Sequence, residues 1–220
     1  MSTDPGPIRV VAWPDLEVVA LEAILPGPQG PGPSPEWLAG LLVPGAAGAP
    51  LHSSEAIRTA IRDLLRLRGY RPTGRGKPSS EYLANAAAEG RVGPILPCVD
   101  AGNAVSLHSG LPISIVDLDR CTLPLSIDSP PAGTSYVFNR GGQEIDVSHL
   151  LCLHDAGGPC ANAVKDAQRT KTTEQTHRVL AVVWGSSRCG PGHVAAAGRW
   201  LTELLGRLGA RVQPVACRQE

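Results

Sequence analysis

The sequence predicts an α+β fold in which layered mixed β-sheets are covered by a few helices. Three observations lead there. Hydrophobic residues make up 42% of the chain and aromatics only 4%, so Leu, Val, Ile and Ala must fill the core. With 25 glycines and 21 prolines in 220 residues, turns are frequent and long helices few. Short β-branched runs and stretches of helical period follow one another with no internal repeat. The length suits a single domain, in which residues 1–54 supply N-terminal strands and a Pro/Gly-rich loop and residues 55–208 form the core.

Residues 8–13 and 17–24 read as two strands joined by a Pro14-Asp15 turn. Residues 26–35 must form a loop, and residues 35–42 a short helix with Ser34 as its cap and Pro35 at its first position. Ser53 or Ser54 caps a helix over 55–67 with Ile57, Ile61, Leu64, Leu65 and Leu67 on its apolar positions. Arg58, Arg62 and Arg66 recur on another face, and Gly69 ends the helix. Residues 70–77 form a basic loop, after which Ser79 or Ser80 caps a helix over 81–89. Residues 97–109 are helical up to the break at Gly110. Strands are expected at 113–116, 123–127, 135–139 and 150–153, with turns at Pro130-Pro131 and Gly141-Gly142. Residues 177–184 make the clearest strand, 185–192 a loop, 193–208 a helix and 211–216 a last strand.

Charge and composition exclude several classes. Lys plus Arg and Asp plus Glu both number 20, which argues against a strongly basic, non-specific nucleic-acid binder. The charge is uneven, however: residues 58–77 hold seven basic residues and one acidic residue, Asp63, a local face able to attract phosphate. No segment approaches the roughly 20 apolar residues of a membrane span, and the first residues lack the regions of a signal peptide. The six cysteines read as reduced cytosolic thiols, and a cytoplasmic protein is expected.

Common catalytic patterns are missing. The six histidines are scattered, and neither Cys-x-x-Cys nor His-Glu-x-x-His occurs, so no metal is expected. The loop from Trp184 to Gly192 sits between a strand and a helix, but it lacks the P-loop Lys-Ser/Thr. There is no Gly-x-Ser-x-Gly elbow. What remains is a spread of polar residues: Asp100, Asn103, Ser114 and Asp117, then the hydrophilic turn from Lys165 to Thr176.

Those pieces carry a resemblance. Arg66-Leu67-Arg68-Gly69-Tyr70, Ser79-Ser80-Glu81-Tyr82-Leu83, the stretch from Val99 to Leu107, the proline-led strand from Leu111 to Asp117 and the Thr-rich turn from Asp166 to Thr176 occur in this order. The set resembles the editing domain of the bacterial phenylalanyl-tRNA synthetase beta subunit and small freestanding proteins related to it, over residues 55–208. The resemblance implies a layered α+β fold, no metal or organic cofactor, and hydrolysis of the ester of a wrongly charged amino acid on tRNA. Such an ester is already activated, so the protein need only position it, place a water and stabilise the oxyanion. Carried over, the family's pocket Asn falls on Asn103, its Thr on Gly102, its His on Ser114 and its Glu near Val182. The pocket is therefore re-cut, and a different substrate is implied. The resemblance makes Asn103, Ser114 and Thr170 the candidate catalytic residues, and Gly102, Pro112, Asp166, Arg169 and Thr176 the candidate substrate-binding residues. In this reading Ser114 and Thr170 hold a water or the amino group, and Asp166 an α-ammonium. Arg58, Arg62, Arg66, Arg71, Arg75 and Lys77 would meet the backbone of an aminoacylated tRNA. The implied function is a freestanding trans-editing factor. The alternatives are a non-catalytic tRNA- or aminoacyl-binding module and an accessory enzyme of secondary metabolism that uses aminoacyl-tRNA.

Overall fold

From Val179 to Trp184 the chain is continuously apolar and rich in β-branched valine, as a strand buried on both faces reads. In the computed structural model, which describes residues 5–28 and 34–219, this strand lies at the centre of the molecule. Among the described residues the elements run β1 (Ile8–Val10), β2 (Leu16–Ile24), α1 (Glu36–Ala39), α2 (Glu55–Arg66), α3 (Ser79–Ala88), α4 (Pro97–Ser109), β3 (Ile113–Asp117), β4 (Ser126–Asp128), β5 (Ser135–Val137), β6 (Glu144–Asp146), β7 (Cys152–Asp155), β8 (Gly158–Asn162), β9 (Arg178–Ser186), α5 (His193–Arg207), β10 (Arg211–Val215) and β11 (Cys217–Gln219). The fold is mixed α+β, as expected.

Strand β9 pairs antiparallel with β2 along its whole length, from Leu16 opposite Ser186 to Ile24 opposite Arg178. On its other side it pairs with β3, which sets Ser114 opposite Val182. With β10 on the far edge of β2 this makes a four-stranded sheet. Pro214 is tolerated because β10 is an edge strand. A second sheet runs β11-β1-β4-β7-β8, and β5 and β6 form a separate two-stranded ribbon.

The alternation of β9 divides its side chains between two cores. Val179, Ala181 and Val183 face a core built with α1, α4, α5 and the apolar side of α2. Leu180, Val182 and Trp184 face the other core, between the two sheets, with Ile8, Val10, Ile127, Leu153 and Ala161. Fully burying side chains of this kind contributes about 1.5–3 kcal/mol each before entropy is subtracted.

Local signals hold well for the helices. Ser54 caps α2 by accepting from the amide of Ile57 at 3.3 Å. Helix α4 spans the expected residues, and Gly110 ends it with φ 76°, a left-handed conformation that glycine adopts without steric cost. Other expectations are corrected. Ser34 does not cap α1; its hydroxyl donates to buried Asp100 at 2.5 Å. Neither Ser79 nor Ser80 caps α3, which starts after Pro78 with Ser80 buried. Leu67 is exposed rather than in the core. The basic loop contains one 3-10 turn, Gly74–Gly76. Strands β1 and β4 are shorter than expected, and β6, β8 and β11 have no counterpart in the sequence reading. Part of the expected loop at 26–35, residues 29–33, lies outside the described residues.

Candidate functional site

Helix α4 lies close against β3. At Gly102 an added Cβ would come within 2.9 Å of Ile115 Cγ1 and 3.1 Å of its Cδ1, closer than packed side chains tolerate. The missing side chain lets the helix approach the sheet, and the next residue, Asn103, lines a cleft there of about 280 Å³. Ile95, Val99, Ile113 and Ile115 give the cleft an apolar wall; Asn103, Asp166, Lys171 and Thr172 supply its polar groups. Ile95 is 64% exposed at this wall. Among the described residues the Asn103 amide has no hydrogen-bond partner, so it remains free for a ligand.

Asp166 is held from behind. Trp184 Nε1 donates to Ser114 Oγ at 3.0 Å, and Ser114 Oγ donates to Asp166 Oδ1 at 2.7 Å. The amide of Asn162 donates to the same carboxylate oxygen at 3.2 Å. No bond occupies Oδ2 among the described residues. Burial pushes the Asp166 carboxyl up to about 6, although the Ser114 and Asn162 hydrogen bonds and the nearby Lys171 charge act in the opposite direction. Lys171 is pinned beside β3 by a bridge to Val116, and its ammonium donates to the Phe138 carbonyl at 2.6 Å. Burial lowers its pKa, partly offset by Asp166.

Residues 68–188, just over half of the chain, match the B3/4 domain family. The chain belongs to that family. Its fold is similar to the crystal structure of an N-terminal fragment of the phenylalanyl-tRNA synthetase beta subunit from Pyrococcus horikoshii, with TM-score 0.57 and 11% identity. The likeness covers 99% of this chain and 53% of that one, so the chain spans about half the length of that fragment. No curated protein matches the sequence.

The B3/4 domain brings some of the candidate residues together and separates others. Gly102, Asn103 and Asp166 meet in the cleft. Ser114 is one bond behind it, 1% exposed, with its hydroxyl also 3.3 Å from the Asn162 carbonyl. Thr170 is fully buried and donates to the Cys160 carbonyl at 3.2 Å, outside the cleft. Thr176 donates to Asp117 Oδ2 at 2.6 Å and accepts from the Thr173 amide at 2.8 Å, which closes its turn. Arg169 grips Asp155 with two bonds, at 2.8 and 2.7 Å, and also reaches the Gly158 carbonyl. The Pro112 carbonyl accepts from the Trp184 amide at 3.0 Å and continues the ladder of β3.

The basic stripe is partly neutralised. Arg58 pairs with Glu55 and Arg66 with Asp63, while Arg62 makes a bidentate pair with Glu81 at 2.6 and 2.5 Å. Arg71 and Arg75 are exposed, with no ion pair among the described residues, and Lys77 is half-buried. Sequence reasoning missed Lys171, Ile95 and Thr172. Lys171 lay within a hydrophilic turn, and its bridge to Val116 and its bond to the Phe138 carbonyl, both distant in sequence, set it at the cleft that Asn103 also lines. No group of three or more His, Cys, Asp or Glu side chains arranged to hold a metal occurs among the described residues. No helix there is long and apolar enough to cross a membrane.

Proposed function

We propose that this B3/4 domain is a freestanding trans-editing factor that hydrolyses the ester of a mischarged aminoacyl-tRNA. The observation that carries the reading is one small cleft in which Asn103, Asp166 and Lys171 face an apolar wall. A cleft of about 280 Å³ suits an amino acid rather than a large ligand. In the proposed reaction Asp166 takes a proton from water as the water oxygen attacks the ester carbonyl carbon. The Lys171 ammonium and the Asn103 amide donate hydrogen bonds to the resulting oxyanion. Collapse expels the ribose oxygen, which recovers the proton from Asp166, leaving a free amino acid and an uncharged tRNA. Ser114 is a positioning residue in this scheme, because it acts through Asp166.

A panel of mischarged tRNAs tests the proposal. At least one should lose its amino acid well above the spontaneous rate, and Asn103→Ala should slow that reaction about tenfold or more, the effect of losing an oxyanion donor. If no charged tRNA is hydrolysed, the reading fails. The second reading, a non-catalytic aminoacyl-binding module, is favoured by Ser114 and Val182 standing where the family pattern has His and Glu. Binding of charged tRNA without turnover would select it.

Ser114→Ala separates positioning from packing. It removes a hydrogen bond that favours the ionised carboxylate, so the acidic limb of the rate profile should move to higher pH and kcat should fall about tenfold. Ser114→Thr, which keeps the hydroxyl, should restore the limb. A lower rate with an unmoved limb would assign Ser114 a purely structural part.

A further inference from the structure

A groove of about 590 Å³ lies at one edge of β2 and shares no residue with the cleft at Asn103. Strand β10 pairs with β2 only from Ile24 to Ala20, where it ends at Val215. Ala216 then turns the chain away. Its carbonyl accepts from the Ile8 amide at 2.8 Å, and β11 continues beside β1 in the other sheet. Residues 16–19 of β2 are therefore paired on the β9 side, and among the described residues no strand pairs with them on the other.

The ladder fixes what this edge offers. The Trp184 amide donates to the Pro112 carbonyl, so Trp184 bonds toward β3. Its partner on β2, Val18, then turns its own amide and carbonyl to the open side. Side chains alternate about that edge. Val19 meets α5, where a Cβ on Gly198 would come within 2.6 Å of it, and Glu17 shares that face. Val18 packs on the opposite face, with the core between the sheets. Val194 and Ala195 of α5 line the groove on the first side, and Val10 and Cys217 on the second.

Charge and backbone together specify the occupant. Glu17 is the one charged residue that lines the groove; it is half-buried, and its carboxylate has no hydrogen bond or ion pair among the described residues. A carboxylate so placed between apolar walls attracts a cation. The amide and carbonyl of Val18 match those of an added strand, the mode by which extended peptides dock on sheet edges. A second copy does not supply that strand. The edge lies in a recess, and the same edge of another copy is equally recessed, so the two cannot meet in the self-complementary contact of a twofold dimer. Residues 16–19, at roughly 3.4 Å each, accept a segment of about four residues.

We propose that this groove binds a short extended segment of a partner protein as a strand antiparallel to β2, in the line that β10 leaves. The segment has an apolar-basic-apolar pattern: its basic residue lies opposite Glu17, and its apolar residues lie opposite Val18 and Leu16. The inference stands apart from the hydrolytic reading, since none of these residues lines the cleft at Asn103.

The probe is a fluorescein-labelled peptide, Ala-Val-Lys-Val-Thr, titrated with the full chain and followed by anisotropy. Saturable binding is expected below millimolar concentration. Methylating the amide of the valine before the lysine removes its bond to the Val18 carbonyl and should weaken binding about fivefold or more. Replacing the lysine of the peptide by glutamate should weaken binding about tenfold or more, and Glu17→Lys should reverse that preference. Ala195→Trp, at an exposed position of α5, fills the groove and should abolish binding while circular dichroism shows an intact fold. No saturable binding overturns the proposal, as does equal binding of the methylated peptide or undiminished binding by folded Ala195→Trp. So does displacement of the peptide by N-acetyl-lysine amide at equal concentration, which would mark a site for a lone cation. A wild-type dimer that Ala195→Trp dissociates, with no binding of the peptide, would assign the groove to a second copy and overturns it too.

Discussion

Asp166→Asn is expected to lower kcat/KM for ester hydrolysis about 100-fold to 1,000-fold, the range for loss of a positioned general base. The substitution keeps the shape of the side chain and an acceptor for Ser114, so the cleft survives while the base is lost. The wild-type rate should rise with pH until the carboxyl is ionised and level off above about 6, where burial places it. The variant should lack that limb and retain only the slow dependence on hydroxide. A different result decides between two roles for the same carboxylate. If Asp166 instead binds the α-ammonium of the aminoacyl group, KM rises and kcat holds.

The same carboxyl leaves a mark on stability. Its folded pKa lies above its ordinary value of 3.8, so between 3.8 and about 6 the folded protein holds more protons than the unfolded chain. Stability from this group is therefore greatest below 3.8 and declines as pH rises through that window. Asp166→Asn removes the decline. Urea midpoints measured across the window would show it, independent of any substrate.

How much of this was legible in the sequence depends on the range of the interaction involved. Helix α4 and its glycine stop were readable because a proline start and a left-handed glycine act locally. Strand β9 was readable because its apolar run is short, rich in valine and followed by Gly185. Strands β8 and β11 were not. Gly158-Pro159-Cys160-Ala161-Asn162 has poor strand propensity and is held by pairing with β7. Cys217–Gln219 pairs parallel with β1, more than 200 positions earlier in the chain.

The site shows the same division. The resemblance picked out Asn103 and Asp166, which do meet in the cleft. It also picked out Thr170 and Thr176, whose hydroxyls face the protein interior. A polar residue in a motif can serve the ligand or the fold, and only the direction of its side chain separates the two. Lys171 reversed the case: it sat in an unremarkable polar turn and is set at the cleft by long-range bonds, the bridge to Val116 and the bond to the Phe138 carbonyl.

Arg169 brings that ambiguity to a measurement. The Asp155 side chain is fully buried, while 39% of the Arg169 side chain is exposed. Two guanidinium bonds and the amides of Thr122 and Gly157 satisfy the carboxylate. Burial by itself would raise the Asp155 pKa, but these partners hold it below its ordinary value. Arg169→Met should therefore cost about 3 kcal/mol, because it strands a buried charge. The double variant with Asp155→Ala should be less damaged than Arg169→Met alone, since no unpaired carboxylate then remains. The sign with pH follows from the lowered pKa: the stabilisation is present above the unfolded carboxylate value and is lost as pH falls through the folded one. The gap between wild type and Arg169→Met should then narrow in acid. Urea unfolding of the four proteins of the cycle gives all three quantities. If Arg169 serves the substrate instead, the outcome inverts: stability barely moves and KM rises. The geometry favours the structural result, because both β7 and β8 depend on this pair. Asp155 ends β7, and the Gly158 carbonyl that Arg169 also holds opens β8, the strand that leads to Asn162 and so to Asp166.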